Sequence, residues 1–462
     1  MWWAYQRLEA RMGGGAEPDE ESNVSVPISI WNDESAVAGW DVLLCPDFDA
    51  RLMDLAQYAQ HGLWWISTDP HPARTPDARC ELGAMLQASG PFRTSLWRVR
   101  RGNDTPEQLE TVSVRQVSSF SRRANLAALA PLRRQLWLAT LSRLQCDGTI
   151  AMRSADTEDS KARAVNFAGA ALARMVVRQF RVRRRLRNRI EAWQVGVRPL
   201  RDSGALFHDT AGYRWLDAPK DSWLADPCPI VVDGRTWLFV EKYDAQRSLG
   251  EICCCEVRGD GTIGPLMDVL RKPYHLSYPH IFCHEGEIFM VPETGANNTV
   301  ELYRAADFPL RWELVRVLYR GPAFDTTVLH YNDRFWFFTS IADGPDHVAS
   351  QLSLFESTRP DGDWCMHPAS PLSMDARWSR CAGRVFLQDG RLIRPAQDCS
   401  RIYGGAISFR EIVTLNEREY QEKVAGAITP ATWAQAGAIG VHTYDRVGPI
   451  EVIDRLMSWR EG

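Results

Sequence analysis

Ala225-Asp226-Pro227-Cys228-Pro229-Ile230, a tight turn at Asp233-Gly234, and then Thr236-Trp237-Leu238-Phe239-Val240-Glu241 form the stretch on which the fold is decided. A polar or small opening leads into an apolar strand, an acidic turn and a second apolar strand. The pattern returns at Ser277-Tyr278-Pro279-His280-Ile281-Phe282, turning at Glu285-Gly286 into Glu287–Glu293. It returns again at Asp325-Thr326-Thr327-Val328-Leu329, turning at Asn332-Asp333 into Arg334–Ser340. A fourth copy runs Ala382-Gly383-Arg384-Val385-Phe386, turns at Asp389-Gly390 and continues as Arg391–Gln397. Turns roughly every 50 residues match the period of a four-stranded propeller blade. Polar residues heading the first strand of each blade then face one central channel, so a composite site is expected there.

The 462 residues leave room for two or three domains, and 45% apolar with 24% charged residues is ordinary for a folded chain. A formal net charge of −4 does not mark the whole molecule as a nucleic-acid binder, and no such partner is expected. Most of the 18 tryptophans lie in strand-like runs and read as core. The 11 cysteines show no paired zinc spacing. Cys253, Cys254 and Cys255 are consecutive on a strand, so their thiols alternate faces and cannot chelate one metal together. They read as buried thiols of a reducing compartment, and neither metal nor cofactor is expected. The opening MWWAYQRLEARM lacks an apolar signal core, and no stretch reaches membrane-spanning length. Cytoplasm is the expected location, which disfavours polymer digestion outside the cell.

Residues 1–25 are acidic and Gly-rich and read as a disordered N-terminus. Residues 26–146 alternate strand and helix signals. Strands are expected at Val26–Ile30, Trp40–Cys45, Gly62–Ile66, Thr94–Arg100 and Thr111–Val117, with helices at Asp49–Gln57, Arg122–Ala130 and Pro131–Cys146. That makes a small α/β domain. Residues 147–192 read as a linker followed by a basic helix from about Phe167 to Trp193, carrying Arg181, Arg183, Arg184, Arg185, Arg187 and Arg189. Without a clear apolar stripe it reads as a solvated face, with contact to an acidic lipid surface or a phosphorylated partner as the alternative. Residues 193–462 are strand- and turn-rich and read as an all-β five-bladed propeller, with one helix near Asn416–Lys423.

A series of motifs follows in order: Trp193–Arg198, Trp223–Pro227, Tyr274–Pro279, Pro292-Glu293-Thr294, Arg391–Ser400 with Tyr403-Gly404, and Gly440-Val441-His442-Thr443-Tyr444. Together they resemble the N-terminal domain of plant glucosamine inositolphosphorylceramide transferases and its bacterial relatives, over about residues 193–455. That domain is similar in turn to the five-bladed propellers of glycoside hydrolases acting on arabinose, xylose and fructose polymers. Cys228 and His280 stand where the pattern has aromatics, which alters the channel wall. Leu52-Met53-Asp54-Leu55, His61–Trp65 and Ser118–Arg123 resemble a degenerate formyltransferase-like domain. Trp64-Trp65-Ile66-Ser67 has no Asn-x-His for formyl transfer, so a structural or binding role is expected there.

Making or breaking a glycosidic bond takes two carboxyl groups across the anomeric carbon, one as base or nucleophile and one handling the bridging oxygen's proton. Three acids on successive blades facing one channel would hold their pKa values apart. The resemblance implies Asp226 as general base, Glu293 as acid and Asp325 as the orienting carboxylate, with Glu241 in reserve. The plainer alternative is that Asp226 caps a turn before Pro227 and Glu293 closes a loop. Substrate contacts are expected from Glu241, Tyr278, His280, Arg384, Arg394, Gln397, Asp398, Tyr403 and His442, against structural alternatives for each. The fork of Arg394 suits a carboxylate or phosphate. The expected partner is a glycan or sugar nucleotide, and the expected activity is glycosyl transfer in surface-glycan or glycolipid biosynthesis. Propeller-type glycoside hydrolysis and non-catalytic glycan binding are the alternatives.

Overall fold

An Asp-Gly or Asn-Asp pair between apolar strands favours a two-residue turn in which both central residues take positive φ. All four repeated turns do so: Asp233 and Gly234, Glu285 and Gly286, Asn332 and Asp333, and Asp389 and Gly390 have φ between 48° and 80°. The computed structural model describes residues 42–45, 50–67, 92–114, scattered positions between 129 and 144, 189–200, 211–258, 261–342, 350–429 and 437–460. It divides into two units, Met1–Arg185 and Leu186–Gly462.

In the second unit each repeated turn closes the inner hairpin of a sheet. Blade 1 comprises Ser222–Val232, Arg235–Asp244, Leu249–Val257 and Met267–Leu270; blade 2 Ser277–His284, Glu287–Thr294, Thr299–Asp307 and Arg311–Arg320. Blade 3 comprises Ala323–Tyr331, Arg334–Ala342, Ser350–Ser357 and Cys365–Met366. In blade 4 the first strand is broken into Arg380–Cys381 and Phe386–Gln388, both pairing with Arg391–Asp398, followed by Ala406–Leu415 and Tyr420–Ile428. Blade 5 joins the two ends of the unit. Ala438–Gly440 and Tyr444–Val447 pair with Ile450–Arg460, which pairs with Arg189–Pro199 and then Arg214–Trp215. The register from Ile450↔Pro199 to Arg460↔Arg189 is unbroken and antiparallel.

Side-chain packing closes these sheets into a ring. Five apolar clusters lie between successive blades: around Phe239 and Met290 for blades 1 and 2, Val291 and Phe337 for 2 and 3, Phe338 and Ile412 for 3 and 4, Ile393 and Tyr444 for 4 and 5, and Val452 and Leu238 for 5 and 1. Cys253 and Cys255 belong to one flanking cluster and Cys254 to another, as the alternation of a strand requires.

Two expectations are corrected. Residues Arg189–Trp193 are strand, not the end of a helix; a helical reading of the arginine run carried past its limit, while the rest of that run lies outside the described residues. The helix expected near Asn416–Lys423 is a turn leading into the strand Tyr420–Ile428. There the Asn416 carboxamide oxygen accepts from the backbone N–H groups of Arg418 and Glu419, a local bond that competes with helix formation.

In the first unit Leu43–Cys45 and Leu63–Ser67 pair in parallel, and Phe92–Arg100 and Asn103–Val114 extend the sheet antiparallel. A 3-10 stretch, Ala50–Tyr58, stands where a helix was expected. The last strand covers Asn103–Val114 rather than Thr111–Val117. Leu63, Trp65, Trp97 and Val99 form its buried core with Cys45 and Ala56. The strand expected at Val26–Ile30 and the stretch Ser118–Arg123 lie outside the described residues. Among the described residues no helix is long and apolar enough to cross a membrane.

Candidate functional site

The first strand of blades 1, 2 and 3 carries the same irregularity near its start. Register slips between Ala225 and Cys228, Ser277 and His280, and Phe324 and Thr327. Each bulge holds a non-glycine residue at positive φ: Asp226 at 51°, Tyr278 at 42° and Asp325 at 49°. Such a conformation costs of order 1 kcal/mol or more, and it re-aims the side chain at the axis. In blade 4 the place falls to Gly383, φ 131°, where a Cβ would stand 2.0 Å from the Tyr444 carbonyl oxygen.

A second ring comes from the neighbouring strands. Glu241, Glu293, Ser340 and Gln397 fall at the same count beyond their turns, and Asp454 holds the matching strand of blade 5. The two rings interlock. Asp226 donates its backbone N–H to Asp454 Oδ2 (3.2 Å), and Asp325 donates its own to Glu293 Oε2 (3.3 Å). The Asp226 carboxylate accepts from the Tyr278 N–H (3.1 Å) and the Thr443 hydroxyl (2.8 Å).

Two buried subclusters result. In one, Arg380 Nε donates to Asp325 Oδ2 at 2.5 Å and its Nη2 reaches Glu293 Oε2 at 3.4 Å; Gln397 Nε2 donates to the same Asp325 oxygen at 2.8 Å. In the other, His442 Nδ1 lies 2.5 Å from Asp454 Oδ2 and its Nε2 3.6 Å from Asp226 Oδ1. Trp193 stacks on that imidazole at 3.7 Å, and Tyr403 meets it edge-on at 5.5 Å while lying under the Arg380 guanidinium. One ligand atom each from Asp226, His442 and Asp454 lies within 4.8 Å of the others, a grouping able to hold a metal ion. Here the imidazole bridges the two carboxylates with opposite nitrogens.

Among the described residues five acids and one arginine share this buried end, and the pKa values respond. Burial raises Asp226 to about 6, with Asp325 and Asp454 adding to it against the pull of His442. Burial, then the charge of Asp325, holds Glu293 well above the ordinary carboxyl range. Glu241 is raised likewise, by burial first and then by Asp226, Glu293, Asp325 and Asp454. For His442 burial opposes the charge, but Asp454 and Asp226 outweigh it and raise its pKa. The arrangement thus offers one carboxylate that ionises near pH 6 beside Glu293 and Glu241, whose carboxyls burial and neighbouring charge hold well above the ordinary range.

The expected residues divide into those the fold gathers and those it sends elsewhere. Asp226, Glu241, Glu293, Asp325, Gln397, Tyr403 and His442 come together. Tyr278 is an axial pin, its hydroxyl bonded to Thr327 (2.7 Å) and to the Gly383 N–H (2.6 Å). His280 and Arg384 line a narrow cavity on the hairpin side of Asp226, with Cys228 and Asp445. Arg384 spans it to the Pro229 and Ile281 carbonyls (2.9 Å each), and burial together with this charge pushes His280 down to about 3. Arg394 lies apart: both arms of its fork go to Glu422 (2.9 Å each), so the free anion-binding fork expected from sequence is occupied within blade 4. Asp398 is turned to its own loop, accepting from the Ser400 hydroxyl and N–H.

Sequence reasoning missed Arg380, Asp454, Thr443 and Trp193. The available signal was a charged residue inside an apolar run, as in Glu451-Val452-Ile453-Asp454 and Ser379-Arg380-Cys381.

The family model "Glucosamine inositolphosphorylceramide transferase 1, N-terminal" matches residues 215–436. The Arabidopsis thaliana glucosamine inositolphosphorylceramide transferase 1 is 35% identical over 210 residues, covering 44% of this chain and 27% of the plant protein. The Oryza sativa subsp. japonica protein of that name is 33% identical over 207 residues, 44% of this chain and 28% of the relative. The chain therefore spans less than a third of the curated relatives it matches. Among solved structures, Zg3597, a family 117 glycoside hydrolase of Zobellia galactanivorans, overlaps with a TM-score of 0.38 at 13% identity, covering 57% of this chain and 90% of that one. An α-L-arabinanase of Cellvibrio cellulosa overlaps at 0.32 and 14%, covering 44% and 77%. The five-bladed ring itself stands on the strand pairing and the five inter-blade clusters.

Proposed function

We propose that the propeller acts on glycosyl linkages, transferring a sugar in surface-glycan or glycolipid biosynthesis. The observation that carries this reading is the collection of Asp226, Glu293 and Asp325 from three blades into one buried site with divided protonation. Asp226, ionised above about pH 6, takes the proton of the attacking hydroxyl. Glu293, whose carboxyl burial and the charge of Asp325 hold well above the ordinary range, gives a proton to the departing glycosidic oxygen. Asp325, tied to Arg380 and Gln397, adds its charge to the effect of burial in raising the Glu293 pKa. The similarity of the matched segment to plant proteins named as glucosamine inositolphosphorylceramide transferases supports a sugar-nucleotide or glycolipid partner.

The same acids serve hydrolysis when water replaces the acceptor, and the two reactions separate on products. The protein is incubated with a panel of nucleotide sugars, with and without glycolipid acceptors. Acceptor-dependent release of free nucleotide supports transfer, and free sugar from oligosaccharides without acceptor supports hydrolysis. An Asp226→Asn variant that binds ligand but turns nothing over assigns the base. Full turnover in that variant would sink the assignment.

A further inference from the structure

Beside the acid cluster blade 1 carries an aromatic pair to which no role has been given. Trp223 and Tyr243 are directly opposite each other on its two inner strands, with rings stacked at 4.4 Å and 10°. Strand alternation puts Tyr243 on the face of Glu241, and Trp223 on that of Ala225, the cross-strand partner of Glu241. Both rings are half-buried. No hydrogen bond engages the Tyr243 hydroxyl or the Trp223 indole N–H among the described residues. His275 continues the wall, 6.1 Å from Tyr243 and about a third exposed. Its Nδ1 accepts from the Gly250 N–H (2.9 Å), so in the neutral ring Nε2 carries the proton. That N–H faces Glu241 Oε1 at 3.5 Å, an oxygen that is buried and unpartnered among the described residues. Gly250 makes the approach possible, because a Cβ there would lie 2.6 Å from Glu241 Oε1 and 2.8 Å from His275 Cε1.

We propose that Trp223, Tyr243 and His275 form a second sugar subsite at the entrance to the acid cluster, holding the ring on the far side of the glycosyl linkage. A sugar offers a flat C–H face edged with hydroxyls, and this wall offers its chemical complement: flat aromatic area edged with three N–H or O–H donors. The occupant is a polyhydroxylated six-membered ring, sugar or cyclitol. This inference rests on the carbohydrate reading of the acid cluster and adds where the second ring sits.

Matched six-membered-ring pairs test it in the full chain: xylose with xylobiose, and glucosamine with its disaccharide, titrated by calorimetry. The disaccharide of one pair should bind more tightly than its monosaccharide. Trp223→Ala and Tyr243→Ala should each weaken the disaccharide about tenfold and leave the monosaccharide unchanged. Tyr243→Phe, which keeps the stack and removes the hydroxyl, should weaken it by a factor of about three and guards against misfolding of the alanine variants. Disaccharide affinity unchanged in all three variants overturns the subsite, as does an equal loss on both members of a pair. If the parent chain binds no pair and Asp226→Asn alters nothing, the carbohydrate reading itself falls, a result distinct from failure of the wall.

Discussion

Under the proposed base role, catalysis and stability pull in opposite directions at Asp226. Its carboxyl titrates near 6 in the fold against an ordinary value of 3.8. Between those values the folded chain holds a proton that the unfolded chain has released. Stability from this group is therefore greatest in acid and declines as pH rises from about 4 to 6, by roughly 3 kcal/mol at most. Turnover runs the other way, since a base must be ionised, and kcat/KM should rise through about pH 6. Asp226→Asn fits the same bonds: its carbonyl can accept from the Tyr278 N–H while its amide donates to the Thr443 oxygen. The variant should be inactive yet gain stability relative to the parent between pH 4.5 and 7.5, measured by urea unfolding at both. An equal stability difference at the two pH values would mean that the buried charge is not what strains this site. Arg380 shows the converse. Its guanidinium pairs with Asp325 and reaches Glu293, so Arg380→Met leaves the buried Asp325 without its cation and should cost roughly 3–5 kcal/mol. Adding Glu293→Gln and Asp325→Asn to Arg380→Met should restore most of that loss in the same denaturation assay; no recovery would assign the arginine's role to packing.

Among elements, what could be read from sequence followed from local chemistry. The four inner hairpins were legible because a turn with both residues at positive φ selects Asp, Asn and Gly, and those residues announce it. The bulges that aim Asp226, Tyr278 and Asp325 were not, since a bulge in an apolar strand leaves no compositional mark beyond the polar residue it carries. In blade 4 the strand starts at Arg380 and breaks around Gly383, so the arginine that organises the site lies just ahead of the repeated pattern that opens at Ala382. Gly383 provides the prediction at this scale. With φ at 131° and the Tyr444 carbonyl where a Cβ would go, Gly383→Ala must part blades 4 and 5. It should destabilise by about 2 kcal/mol or more, whereas Gly234→Ala, in a turn where a Cβ meets nothing within 4 Å, should cost about 1 kcal/mol or less. Equal losses in a thermal-melt comparison would show that the inner contact is not what holds the two blades together.

For the molecule as a whole, the deciding feature is one that no local pattern could announce: blade 5 is assembled from both ends of the propeller unit. Ile450–Arg460 and Arg189–Pro199 are separated by the whole ring in sequence and are side by side in space. Both also feed the site, through Asp454 on one and Trp193 on the other. Closing the ring and completing the acid cluster are thus a single event, and loosening the closure should disable the site without touching an acid. Val197→Pro tests this by removing a ladder donor and forcing a bend in a strand paired on both sides. Hydrogen exchange should show protection lost along 450–460 and spreading into Ser222–Val232, with ligand affinity lost in parallel. Leu314→Pro, on the outermost strand of blade 2 where one edge faces solvent, should loosen only that rim and leave affinity intact. If the two prolines gave the same local pattern of exchange, the blades would be independent modules, and the site could not depend on the seam between the two ends of the propeller unit.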